Sequence, residues 1–156
     1  MRITRYNLNR DKETGKLILA KESSHIYPAV DRVCSPADVA DVMNDVFHLG
    51  IMAEEYIYML CLNAAGRLIG VFEVSHGSMD CALTSPREIF MKALMAGAHH
   101  IILAHNHPSG DCTPSADDRK TTDRVREGGK LLNLELQDHV IIGNGTYFSF
   151  KENGAL

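Results

Sequence analysis

The feature that most constrains the fold is a short apolar strand followed by a loop and a long helix, between residues 99 and 132. The segment HHIILAH (99–105) has a continuous apolar centre, which is typical of a strand covered on both faces of its sheet. A loop rich in Pro, Ser, Gly, Asp and Thr follows, and a helix is predicted from about Ser115 to Leu132. A strand that is buried on both faces needs helices on both sides of the sheet, so this segment favours an α/β fold.

The rest of the chain supplies more strands and helices. Six further strands are predicted from short runs of β-branched, aromatic and aliphatic residues, at 2–9, 16–20, 56–63, 68–75, 140–144 and 146–151. One helix is predicted to begin with Ser35 as N-cap and Pro36 at the first helical position, and to end at Gly50. Another is predicted to begin at Ser85, with Glu88 completing a capping box. The mixed order predicts an α/β sandwich around a mixed sheet.

Composition limits the class of protein. The chain of 156 residues is long enough for one domain with a sizeable core. Its 45% hydrophobic and 23% charged residues exclude a disordered tail, a collagen-like repeat and a coiled coil. Sixteen Lys and Arg against twenty Asp and Glu give a net charge of −4. This balance argues against strong non-specific binding to nucleic acid, but it leaves room for a small basic patch.

The cysteines and the apolar runs indicate a reducing compartment. The four cysteines, Cys34, Cys61, Cys81 and Cys112, include no Cys-x-x-Cys pair, so neither a disulfide framework nor a cysteine-only zinc site is expected. The first fifteen residues contain no apolar region typical of a secretory signal. The apolar runs fall far short of the ~20 residues that a membrane span needs. We therefore expect a cytoplasmic protein with no membrane segment.

The residues that carry chemistry lie in HNHPSGDCTPSADD (105–118). His105 and His107 leave the end of a strand two residues apart, so both imidazoles point to the same side. Asp118 follows about one turn into the next helix and can fold back onto them. Two His and one carboxylate, with a fourth position for water, are the ligands of a catalytic rather than a structural zinc site. The segment therefore predicts a Zn²⁺ site.

The alternative is a surface loop with incidental histidines. Eight histidines in 156 positions give roughly 0.4 His-x-His pairs by chance, so the pair alone is weak support. The context favours a site, because the pair stands where a strand ends, before the tight turn Pro108-Ser109-Gly110. A helix that begins with acidic residues follows directly.

The segment resembles the JAMM motif of MPN/JAB metalloproteases, with His-x-His-Pro, then Ser115, then Asp118 three residues later. Together with SPREIF upstream and DHVIIGNGTYFSF downstream, it is similar to the RadC-like branch of that family, over about residues 36–151. The resemblance implies a JAB/MPN-type mixed β-sheet flanked by helices, a cytidine-deaminase-like α/β sandwich. The resemblance places a single RadC-like JAB/MPN domain at 35–156, and the strand pattern of residues 2–20 predicts that 1–34 form an N-terminal hairpin extension before it.

The resemblance also implies a function, which is zinc-dependent hydrolysis of an amide bond in a peptide, isopeptide or other conjugate. His105, His107 and Asp118 would bind zinc, Glu55 would act as general base and acid, and Ser115 would donate to the developing oxyanion. Each residue has a simpler interpretation. Glu55 could be a solvated loop acid, Ser115 a helix-start residue, and Asp118 a first-turn acid favoured by the helix dipole.

Two departures from the family pattern leave other functions open. RadC-like proteins usually carry a helix-hairpin-helix DNA-binding region before the JAB domain, and residues 1–34 are predicted to form strands instead. A DNA-repair or recombination accessory role therefore loses its main support and is kept only as an alternative that the family name suggests. A zinc-bound scaffold without peptidase activity is another alternative. Cys112 stands where the family commonly has Pro. His139 follows Asp138, either as support behind the metal site or, preferably, as a structural histidine.

Overall fold

The computed structural model describes residues 1–30, 32–77 and 85–156. Cys81, one of the four cysteines, lies outside the described residues, while Cys34, Cys61 and Cys112 are free thiols. The strands are β1 (Arg2–Arg10), β2 (Leu17–Ile26), β3 (Glu55–Leu62), β4 (Leu68–Gly77), β5 (His100–Asn106), β6 (Glu135–Ile142) and β7 (Tyr147–Ser149). The helices are α1 (Pro36–Phe47), α2 (Pro86–Met95) and α3 (Ala116–Leu132), with a 3-10 turn at Leu49–Ile51.

All seven strands of the described part form one mixed sheet, in the order β2-β1-β4-β3-β5-β6-β7. β1 pairs with β4 and β5 pairs with β6 in parallel, whereas the other neighbours are antiparallel. The apolar face of α1 packs on one side of the sheet, and α2 and α3 pack on the other. The mixed-sheet α/β prediction is confirmed.

The strand β5 is the central support of the candidate site. It pairs with β3 in the antiparallel sense and with β6 in parallel, and Ile101–Ala104 are buried. Ile102 and Ala104 belong to the core under α1, whereas Ile101 and Leu103 belong to the core under α2 and α3. Because side chains alternate along a strand, His105 follows Leu103 onto the α3 side. The predicted burial of both faces is confirmed.

The N-terminal hairpin continues the main sheet. Arg5 and Tyr6 of β1 stand opposite Val71 and Phe72 of β4. The division into an extension (1–34) and a domain (35–156) stays a prediction. The closing strands differ in extent from the prediction, because β6 already begins at Glu135, where it starts to pair with β5.

The predicted end of α1 at Gly50 is wrong, and so is the predicted capping box at Ser85, although α2 begins there as predicted. α1 ends at His48, which adopts the left-handed conformation at φ 56°, and Gly50 lies in the 3-10 turn that follows. The His48 N–H donates to the Asn44 carbonyl, so the helix is already closed before Gly50. At α2, the Ser85 side chain makes no cap hydrogen bond, and the Glu88 carboxylate accepts from Arg87 instead.

Among the described residues, no helix combines the length and the apolar character that crossing a membrane requires.

Candidate metal centre

The two histidines of the motif face each other across the end of β5. His105 is fully buried, and His107 lies just beyond the strand, where its backbone N–H donates to Ile142 O at 3.0 Å. The two Nε2 atoms are 3.1 Å apart. The end of a buried strand thus places both rings on the α3 side.

Asp118 reaches the same point from the first turn of α3. Ser115 is the N-cap, with its Oγ accepting from Asp118 N at 3.1 Å and its backbone N–H donating to Asp118 Oδ2 at 2.7 Å. This capping box turns the carboxylate back toward β5. Asp118 Oδ1 lies 3.2 Å from His105 Nε2, and Oδ2 lies 3.3 Å from His107 Nε2. The ligand atoms of the three residues all lie within 4.8 Å of one another.

Charge interactions keep the Asp118 carboxylate ionised. Burial of the Asp118 carboxyl opposes ionisation, but hydrogen bonds from His105 and His107 outweigh it and keep the Asp118 pKa well below its usual range. The hydrogen bond with Asp118 raises the pKa of His107. A carboxylate that stays charged beside two ring nitrogens is an anionic pocket for a cation.

The donor set fits a metal ion. Two imidazole nitrogens and one carboxylate converge from a strand end and a helix start, and this is a typical zinc ligand set of the catalytic type. The described structure therefore contains a group that could bind a metal, as the sequence predicted.

Glu55 is placed at the edge of the same site. It is the first residue of β3, and Ile57, two residues further on, stands opposite His105 in the antiparallel register. Because alternate residues share a face, Glu55 lies on the α3 side near the end of β5. Glu55 and His107 both line a cavity of about 520 Å³, together with Ala53, Glu54, Gly77, Pro108 and Ser109.

Ser115 is the N-cap of α3, as its interpretation as a helix-start residue predicts. Its Oγ donates to Asp118 Oδ2 at 2.7 Å as well as accepting from the Asp118 backbone. The residue is thus a helix cap that also touches a candidate ligand. Its oxyanion role stays a prediction.

The comparison with known families decides the identity of the fold. A family model described as "RadC-like JAB domain" matches residues 33–155. The chain belongs to the RadC-like JAB family. The resemblance stated from the sequence is confirmed.

Curated relatives of this JAB domain carry the name UPF0758 protein. The chain is 40% identical over 124 residues to the one from Clostridium tetani, which covers 80% of this chain and 54% of the relative. It is 42% identical over 125 residues to the one from Symbiobacterium thermophilum, in an alignment that covers 80% of this chain and 52% of the relative. The identity to the relative from Alkaliphilus metalliredigens is 38% over 144 residues, in an alignment that covers 92% of this chain and 60% of the relative. The chain therefore spans about half the length of the curated relatives it matches.

His139 of the JAB domain supports the site directly, so the preference for a purely structural histidine is corrected. The residue is buried, and its Nε2 lies 2.8 Å from His105 Nδ1. Its ring stacks on Phe150, with centroids 5.0 Å apart and planes inclined by 10°. Only the parallel pairing of β5 with β6, which sets Leu103 opposite His139, brings this ring behind His105. In the sequence, the adjacent residues Asp138 and His139 were the feature that indicated this supporting role.

Asn106, the middle residue of the His-x-His motif, was missed from the sequence. Its buried side chain points to the other side of β5 and accepts from Tyr56 N at 2.8 Å. Its Nδ2 donates to Glu54 O at 3.0 Å and to Met52 O at 3.3 Å. These three hydrogen bonds hold the backbone in place on both sides of Glu55. Asn106 thus ties the start of β3 to the strand that carries the histidines.

The loop between the histidines and α3 is held against the β6–β7 turn. The Gly110 carbonyl accepts from Asn144 N at 3.1 Å, and His107 Nδ1 lies 2.6 Å from Asp111 O. Cys112 is half-buried, with its Sγ 3.5 Å from Thr146 Oγ1.

A larger cavity lies away from this chemistry. It measures about 640 Å³ and is found at the opposite end of β5, where His99, His100 and Glu135 line it. None of the three candidate ligands lines that cavity. We therefore place the site at the smaller cavity beside His107.

Proposed function

We propose that this JAB domain is a zinc-dependent hydrolase of the metallopeptidase or isopeptidase type, acting on an amide bond. One observation carries the proposal. Two ring nitrogens and a charged carboxylate converge within 4.8 Å, and a second carboxylic acid, Glu55, lines the cavity into which His107 opens. A metal group beside a separate acid is the arrangement that metal-assisted hydrolysis needs.

His105, His107 and Asp118 would hold the ion. When bound, zinc supplies a Lewis acid that activates water and polarises the scissile carbonyl. Asp118 contributes negative charge from a rigid helix cap, and His105 contributes a fully buried ring on a rigid strand. Both supports limit the movement of the ligands.

Glu55 would move the proton. Its carboxylate takes a proton from the attacking water and passes it to the leaving nitrogen, as a general base and then a general acid. The hydrogen bonds of Asn106 to the neighbouring backbone fix where the Glu55 side chain starts. Ser115 would turn its hydroxyl from Asp118 to the developing oxyanion.

The substrate would be a peptide, an isopeptide or another amide conjugate that reaches the cavity between residues 53–55 and 107–109. We propose a cytoplasmic setting. The net charge of −4 gives no general attraction to phosphate backbones. Nucleic-acid binding is checked by gel shift at about 50 and 200 mM salt, where a steep loss of binding with salt would favour the DNA-accessory alternative.

The decisive experiment compares Glu55→Gln with Asp118→Asn. Glu55→Gln should keep zinc near wild-type occupancy while hydrolysis falls by about 10²–10⁴-fold, because an amide cannot accept and return a proton. Asp118→Asn should lose the metal itself, since a neutral amide is a poor zinc ligand. Glu54→Gln, one residue away on the same cavity, is the matched control and should stay active.

The measurements are elemental analysis of zinc and hydrolysis of a library of peptides and isopeptides. Equal activity of the wild type and Glu55→Gln would contradict the role of Glu55. Zinc-loaded wild type that cleaves no amide in the library would contradict the hydrolase proposal and favour the scaffold alternative.

A further inference from the structure

A chain of buried hydrogen bonds runs behind His105 to the backbone of α3. His105 Nδ1 lies 2.8 Å from His139 Nε2, and His139 Nδ1 lies 2.7 Å from Thr122 Oγ1. Thr122 Oγ1 in turn lies 2.7 Å from the carbonyl oxygen of Asp118. Thr122 and both histidines are almost completely inaccessible to solvent, so no water competes along the chain.

The carbonyl oxygen of Asp118, at the end of this series of hydrogen bonds, determines which atom donates in each bond. A carbonyl oxygen has no hydrogen, so the Thr122 hydroxyl must donate to Asp118 O. The hydroxyl has only one hydrogen, so toward His139 it can only accept, and His139 Nδ1 must carry the proton. His139 is buried and its two ring nitrogens contact only Thr122 and His105, so no carboxylate stabilises a charge on the ring, and the neutral ring has a lone pair on Nε2. That lone pair accepts from His105 Nδ1–H.

We propose that Thr122 and His139 are positioning residues that hold His105 in the Nδ1–H tautomer, with its Nε2 lone pair directed at His107 and Asp118. A ring held in this form presents an acceptor to a cation, whereas the other tautomer would present an N–H. The inference rests on the proposed function only for the nature of the ion that His105 would bind.

The position of the His107 proton follows from the same argument, with a different carbonyl oxygen as the acceptor. Its Nδ1 lies 2.6 Å from the carbonyl oxygen of Asp111, which can only accept. His107 therefore also carries its proton on Nδ1. When both rings are neutral, their Nε2 lone pairs lie 3.1 Å apart beside the Asp118 carboxylate, an arrangement that a cation relieves.

The test reads the tautomers in metal-free protein, so it does not depend on hydrolysis. Long-range ¹H–¹⁵N correlations of ¹⁵N-histidine-labelled protein distinguish Nδ1–H from Nε2–H, and at about pH 9 an ordinary imidazole is neutral. We expect Nδ1–H signals for His105 and His139 in the wild type. An Nε2–H signal for His105 in the wild type would overturn the inference by itself.

The variants separate positioning from simple packing. Thr122→Val keeps the shape of the side chain but removes the acceptor for His139 Nδ1–H, so the Nδ1–H signals of His139 and His105 should be lost. Zinc affinity, measured by competition with a chelator, should fall about 10–100-fold. Thr122→Ser restores the hydroxyl and should restore both readouts. Thr121→Val, at another buried threonine of α3, is the matched control and should leave the tautomers unchanged.

The outcomes also separate this inference from the hydrolase proposal. Unchanged tautomers in Thr122→Val would overturn the inference, and so would an equal loss in Thr122→Val and Thr122→Ser. Wild-type protein with the expected tautomers but no amide hydrolysis would overturn the proposed function while the positioning role stands.

Discussion

Ser35 and Ser115 make the same pair of hydrogen bonds at the starts of two helices on opposite faces of the sheet. Each hydroxyl accepts from the backbone N–H of an aspartate three residues later, at 3.2 Å in α1 and 3.1 Å in α3. Each backbone N–H donates to that aspartate's carboxylate, at 2.8 Å and 2.7 Å. Only the second aspartate, Asp118, touches the histidines. The chain therefore contains its own control for Ser115.

Ser35→Ala and Ser115→Ala should destabilise the protein by a similar amount, about 1 kcal/mol, because each loses one N-cap. Only Ser115→Ala should also lower amide hydrolysis, since only its hydroxyl adjoins the candidate metal ligands. Urea unfolding and hydrolysis assays on both variants check this. Equal hydrolysis by the two variants would show that Ser115 acts only as a helix cap and has no role in catalysis.

The capping aspartate of α1 predicts a pH effect on stability. The backbone N–H of Cys34, followed by Ser35, stabilises the carboxylate and lowers the pKa of Asp38 below the ordinary value of 3.8. A lowered pKa in the folded state means that the stabilisation is complete above pH 3.8 and is lost as the pH falls below it. The stability difference between the wild type and Asp38→Asn should therefore shrink in acid. A difference that stays constant down to about pH 2 would contradict this.

Gly143→Ala should weaken metal binding without touching a ligand. A Cβ at Gly143 would overlap the Gly110 carbonyl oxygen and lie 3.3 Å from Cys112 Cβ. Asp111 lies between these two residues and accepts from His107, so displacing it should disturb that ring. Gly129→Ala is the control, because its Cβ would overlap the Leu134 carbonyl at the far end of α3. Both variants should unfold at lower urea, but only Gly143→Ala should lose zinc affinity in a chelator competition.

Asn106→Ala should uncouple Glu55 from the histidines. The Tyr56 N–H and the Glu54 carbonyl lose their partner, which costs about 1–3 kcal/mol of stability for buried groups. Zinc content should stay near wild type while kcat falls, because the ligands remain and the base moves. Asn63→Ala, which removes a similar amide from the exposed β3–β4 turn, is the control and should keep its kcat. Loss of zinc from Asn106→Ala would instead indicate a role in the ligand geometry.

Removing the metal should lower the unfolding temperature. A ligand that binds only the folded state stabilises it by about 2.7 kcal/mol when its concentration is 100 times Kd. Differential scanning fluorimetry with zinc and with a chelator measures the difference. His105→Ala should show little response to either addition. An equal response in that variant would place the metal elsewhere.

Local patterns in the sequence were enough to predict the strand β5, the start of α3 and the meeting of His105, His107 and Asp118. These features depend on alternation along one strand and on one helix start, which neighbouring residues determine. The capping box predicted at Ser85 is absent, although α2 begins there as predicted and an acidic residue stands at N3 as it does after Ser115. Glu88 bonds to Arg87 instead of the backbone of Ser85, and a Ser-x-x-Glu pattern does not exclude that competing partner.

The supports of the site could not be derived in the same way. Thr122, His139 and Asn106 act through side-chain contacts with residues 17 to 54 positions away along the chain. Their contacts exist only because β5 pairs with β6 on one side and with β3 on the other. Which strands become neighbours, and in what register, depends on the packing of the whole sheet.

The antiparallel register of β3 with β5 determines where this chain can change in length. The pairing runs without a shift from Ile57 opposite His105 to Leu62 opposite His100, whereas β3 has two shifts toward β4. An insertion in the turn at 63–67 lies beyond the last pair and leaves Glu55 in place. One residue added within β3 would turn Glu55 onto the α1 side of the sheet, away from His107. Homologues should therefore vary in length at that turn and keep a constant spacing from Glu55 to Leu62.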